Sequence, residues 1–150
     1  MDRFKIEHFQ RDNPGCVFPA FSTLGAAETR ALRERLKAQC GLPGNASDLE
    51  LTRSIALTAT TLPHADPQEP DFDVADLLRQ LNINPGKEVF INWHRFDIVD
   101  RMQFNDLVSH FSDIWYPGAD DIELFDDSCS WVLVVPHSGT ASLAIVAVDA

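Results

Sequence analysis

Only three cysteines occur in 150 residues, and Cys16, Cys40 and Cys129 stand far apart. An odd, dispersed set without CxxC or Cys/His ligand spacing excludes a disulfide frame and a structural zinc site. It reads as reduced thiols in a cytosolic protein. Glycine is sparse too, at 7 residues. Neither GxGxxG nor GxxxxGK[ST] is formed, which excludes the common phosphate-cradling loops. No HExxH or HxH pair is present, nor a GxSxG elbow. Long apolar runs are missing: the longest, such as residues 131–136, are far too short to cross a bilayer. The opening stretch MDRFKIEHFQRDNPG mixes charge with apolar residues and lacks the apolar stretch of a signal peptide.

Basic residues are also short. Lys and Arg number 12 against 23 Asp and Glu, a formal net charge of −11. Residues 63–127 hold 15 acids and four bases, and the rest of the chain balances eight against eight. The whole excess therefore lies in one segment. Such a field repels nucleic acid and anionic membranes and speeds encounter with a basic partner. It also serves solubility.

What is present suits one domain with a real core: 45 % hydrophobic residues, ten Phe and three Trp. Phe4, Ile6 and Phe9 fit one side of a strand or of a short helix, and residues 16–21 fit an edge strand because of Pro19. Residues 25–40 read as a helix with Ala27, Ala31, Leu32 and Leu36 on one face, stopped by Gly41 and Pro43. Residues 51–62 read as a strand through the alternation of Ile55, Leu57 and Ala59. Asp71 is placed to cap a helix over 72–81. Residues 88–93 alternate as a strand, with Val89, Ile91 and Trp93 opposite Phe90. Asp100 and Gln103 have capping-box spacing, with Val99 and Phe104 as the staple, for a helix running to about Ile114. Strands follow over 121–126, 130–136 and 141–148, the middle one apolar on both faces. The expected fold is a single α+β domain: about four to six mostly antiparallel strands, with three helices packed mainly on one face.

Candidate chemistry is thin. Asp120, Asp121, Glu123, Asp126 and Asp127 are the densest carboxylates, but their spacing does not match an EF-hand loop. Asp121, Glu123 and Asp127 alternate with apolar positions and are expected to face solvent or a groove together. Trp115 and Tyr116, at a helix end beside these acids, are expected to be partly exposed and to add the aromatic component of an interface. Cys129 lies in a turn beside acids, which raise a thiol pKa and argue against a nucleophile. His94, His110 and His137 are the candidates for acid–base work.

The run Trp115-Tyr116-Pro117, Asp120-Asp121-Ile122, Leu124-Phe125-Asp126, Ser130-Trp131, and His137 with Gly139 resembles small bacterial immunity proteins found beside polymorphic toxins. The likeness spans about residues 88–140. It implies a cytoplasmic inhibitor of a cognate toxin and carries no catalytic residue with it. The expectation is thus a non-enzymatic, acidic protein-binding domain without metal or cofactor. It would engage a basic toxin through Trp115, Tyr116, Asp120, Asp121, Glu123, Asp126 and Asp127, and neither nucleic acid nor membrane. The alternatives are a small enzyme or ligand-binding domain with a pocket around His94, His110 and His137, or an oligomeric structural subunit using an exposed sheet edge.

Overall fold

The computed structural model describes residues 1–94 and 96–146, the His94 side chain excepted. The expected last strand therefore ends outside the described residues. Seven strands form one sheet, β1 (Phe21–Thr23), β2 (Thr60–Thr61), β3 (Glu88–His94), β4 (Ile98–Gln103), β5 (Ile122–Asp126), β6 (Trp131–Val135) and β7 (Ser142–Ile145). Their order is β1-β4-β3-β5-β6-β7-β2 and every pairing is antiparallel. Six helices are described: α1 (Arg3–Asp12), α2 (Ala26–Gln39), α3 (Asp48–Thr58), α4 (Val74–Gln80), α5 (Phe104–Ser109) and α6 (Phe111–Ile114). The α+β class holds, with more strands and more helices than expected.

The helices cover both faces of the sheet, not mainly one. Val89, Ile91, Leu124, Leu133 and Leu143 point to the face covered by α1, α4, α5 and α6. Phe90, Phe125, Val132 and Ala144 point to the face covered by α2 and α3. The two-residue side-chain period of each strand feeds both cores at once. The expected alternations in β3 and β6 are seen here: Trp131, Leu133 and Val135 enter one core and Val132 and Val134 the other.

Five local expectations are corrected. Residues 48–58 are helical, not a strand. Ser47 caps α3, accepting from Glu50 N–H at 3.2 Å while its own N–H donates to Glu50 at 2.6 Å. This reciprocal box satisfies two helix-end donors. Leu51 and Ile55, four apart, share the buried side, and Leu57 of the supposed alternation is 88 % exposed.

Asp100 is not a helix cap. It is a buried residue of β4, which pairs with β3 and β1, and α5 begins only at Phe104. The supposed staple partners Val99 and Phe104 enter opposite cores. Pairing on both edges overrides a local signal worth about 1 kcal/mol. The helix also divides at His110, whose φ of −122° and ψ of 24° leave the helical region. The cap of α4 is Asp73, bonded to Asp76 N–H at 3.0 Å, in place of Asp71. On α2, Ala27 and Ala31 are exposed, and Thr29 and Lys37 join Leu32 and Leu36 on the buried side. Gly41 does close α2, at φ +69°.

Candidate functional site

The seven expected partner-binding residues do not form one surface. Trp115 is 2 % exposed and stacks on Phe111, with ring centroids 5.7 Å apart. Its indole N–H donates to the Asp120 carbonyl at 2.9 Å. The expected exposure of Trp115 fails because its ring joins the core on the α1, α4, α5 and α6 face of the sheet.

Asp120 is engaged from within. It pairs with the fully buried Lys5 of α1 and accepts the Tyr116 N–H at 2.8 Å. Lys5 also donates to the Ile114 carbonyl at 2.8 Å and lies 4.0 Å from the Tyr116 ring centre and 5.0 Å from that of Trp93. An unpaired buried ammonium is very costly, and the carboxylate and the aromatic faces together compensate it. Tyr116 is half-buried and stacks on His8. Burial first, and then the charges of Asp113 and Asp120, raise its phenol pKa.

Asp126 is also buried, at 4 % exposure. It accepts Gly86 N–H at 2.8 Å, Ser128 N–H at 3.0 Å and the Ser128 hydroxyl at 2.5 Å. These bonds hold the β5–β6 turn, where Cys129 has φ +50°. Burial pushes the Cys129 thiol up to about 11, with Asp127 and Asp126 adding to the rise. Asp127 is exposed and bonds Arg35 of α2. Asp121 is exposed and accepts both the His137 N–H at 2.7 Å and its ring Nδ1 at 2.9 Å. Asp121 and Asp127 flank β5 at opposite ends, about 20 Å apart at the rise of an extended strand. Glu123 lies between them, partly buried on the α2/α3 face and bonded to Asn92 at 3.1 Å.

The histidines do not converge through any described contact. His110 is near Asp113 at 3.4 Å and edge-on to Phe9, and His137 pairs with Asp121. The His94 side chain lies outside the described residues. Among the described residues no group of three or more His, Cys, Asp or Glu side chains could hold a metal ion. No helix among them is long and apolar enough to cross a membrane.

The acids that do meet at a surface lie earlier in the same segment. Residues 63–73 wrap against α4 and leave a groove of about 380 Å³ rimmed by Asp66, Asp71, Asp73 and Asp76. Its floor is apolar, with Leu62, Phe72, Leu77 and Leu81. Across Phe72 a second groove of about 340 Å³ runs to Val108 and Phe111, with Glu69 on its rim. Asp66 turns the chain by accepting Gln68 N–H at 2.9 Å, and Asp76 pairs with Arg79. That pair holds the Asp76 carboxyl below its ordinary pKa. Glu69 and Asp71 are exposed, with no side-chain partner among the described residues. The sequence pointed here only through its charge bias over 63–127. The apolar floor is assembled from three separated stretches and has no local signature.

Neither a family model, nor a curated protein, nor a solved structure matches this chain.

Proposed function

We propose that this chain is a non-enzymatic acidic protein-binding domain, most concretely a cytoplasmic immunity-type inhibitor that neutralises a basic toxin. The observation that carries the reading is the pair of acid-rimmed grooves meeting at Phe72. Carboxylates around an apolar floor suit a partner that presents Lys or Arg around an apolar or aromatic anchor. Charge complementarity would set the association rate and the anchor the dissociation rate. Of the residues first singled out, Tyr116, Asp120, Asp121, Glu123 and Asp127 retain some solvent access, but not as one surface. They are secondary to Glu69 and Asp71 in this reading.

The test pairs the chain with the product of the neighbouring gene in its source organism. Co-expression should restore growth if that product is a toxin. Glu69→Lys with Asp71→Lys should slow association about tenfold or more at low salt, the deficit narrowing as salt is added. Unchanged kinetics would remove the groove assignment, and absent protection would remove the inhibitor role.

A further inference from the structure

A third cleft lies on the other face of the sheet, away from the acid-rimmed grooves. The cross-strand register builds it. Asn92 pairs with Glu123, and Glu123 pairs with Val134, so three neighbouring strands place these side chains in one row. Leu49 and Thr52 of α3 lie over that row, and Ile122, Pro136 and Asp121 complete a cleft of about 280 Å³.

The polar atoms of the cleft are one-sided. The Asn92 amide is consumed: its N–H₂ donates to Glu123 Oε2 at 3.1 Å and its oxygen accepts Phe96 N–H at 3.0 Å. Glu123 Oε1 has no partner among the described residues. The Thr52 hydroxyl oxygen is shielded from solvent and also has no hydrogen-bond partner. No cationic side chain among the described residues lines the cleft. What is left is a carboxylate oxygen that accepts and a hydroxyl that accepts as well as donates, with no cation beside them, between walls of Leu49, Ile122, Val134 and Pro136. Burial raises the Glu123 carboxyl above its ordinary pKa, as expected for an acid without a compensating cation.

We propose that this cleft binds a primary ammonium group on a short apolar stem. An ammonium offers three donors and no acceptor, matching what the lining lacks. Its charge compensates Glu123, and the apolar walls take its methylenes. The same chemistry comes from a small free amine or from a lysine side chain of a polypeptide. The proposal does not rest on the inhibitor reading, because it concerns the opposite face.

Titration of the full chain with n-pentylamine, followed by amide NMR shifts and calorimetry, tests it. Saturable binding is expected, with shifts at Thr52, Asn92, Glu123 and Val134, and n-pentanol should bind about tenfold more weakly for lack of the charge-assisted bonds. Glu123→Gln, which keeps the shape and the Asn92 bond, should weaken the amine about tenfold and leave pentanol unchanged. Thr52→Val provides a second, near-isosteric variant and should weaken the amine alone. A capped Gly-Lys-Gly peptide separates the two sources: binding tighter than pentylamine assigns a polypeptide lysine, and weaker binding assigns a free amine. Equal affinity for pentanol and pentylamine, shifts confined to other parts of the molecule, or a folded Glu123→Gln chain that binds the amine as before would overturn the proposal.

Discussion

Asp120 and Asp71 belong to the same acidic segment, yet the fold uses them in opposite ways. Asp120 faces a buried ammonium, a backbone N–H and two aromatic rings contacted by the same ammonium. Asp71 stands on the rim of a groove, exposed. Asp100 resembles Asp120: it takes the Met1 amino group, the Thr23 hydroxyl at 2.6 Å and the Trp93 indole N–H at 2.7 Å. Net charge therefore overstates the surface field. The carboxylates at Asp100 and Asp120 are neutralised inside, where they tie the N-terminal helix to the sheet. The stretch 63–76 holds five acids and no Lys or Arg, and none of the five is buried.

That contrast breaks most readily at Asp120. Asp120→Ala should cost about 3–5 kcal/mol, because it strands the Lys5 ammonium in a buried site. Urea denaturation reads this directly, and a loss under about 1 kcal/mol would mean that Lys5 finds water. A smaller effect is expected at the cap of α3. Ser47→Ala should cost about 1 kcal/mol and lower helical circular dichroism, and no change would undo the helical assignment of residues 48–58.

Glu123 sharpens the comparison through pH. Burial raises its folded-state pKa above the ordinary glutamate range, so the folded chain holds its proton more tightly than the unfolded chain. Stability from this group is complete below about pH 4.5 and is lost as pH rises through the folded pKa. Glu123→Gln should consequently raise the melting temperature at pH 7, the gain fading towards pH 4. A gain that persists undiminished in acid would show that packing, not ionisation, is responsible. The smallest effect on stability belongs to the groove rim. Glu69→Lys with Asp71→Lys should change unfolding free energy by no more than about 0.5 kcal/mol, since neither side chain has a partner among the described residues. A larger loss would place those acids with Asp120 as internal supports.

Much of the sheet was legible from residue patterns. Val89, Ile91 and Trp93 against Phe90, and the two-sided run of β6, follow from the alternation of side chains along a strand. Two helices near 26–39 and 74–80 were legible from spacing and stop signals. The failures share a cause. Residues 98–103 carry a fair capping pattern but gain more by pairing on both edges, and residues 48–58 carry a weak alternation that a capping box and two buried aliphatics four apart outweigh. For the proposed site, the charge bias marks the segment that contains the groove but does not separate its two ends. The approach to β5 looks as acidic as the 63–76 flank. Only the packing of α1 shows that Lys5 is drawn into Asp120.

The sequence by itself determined the class, the alternating strands and the surplus of negative charge, because each depends on residues close together in the chain. Which acids are consumed inside, which rim a groove, and that Asn92, Glu123 and Val134 stand in one row were decided only by tertiary structure. Several of those facts depend on distant partners, 31 positions apart for Asn92 with Glu123 and 115 for Lys5 with Asp120. No local pattern records such pairings, since the free energy that selects them comes from burial and strand register across the whole sheet.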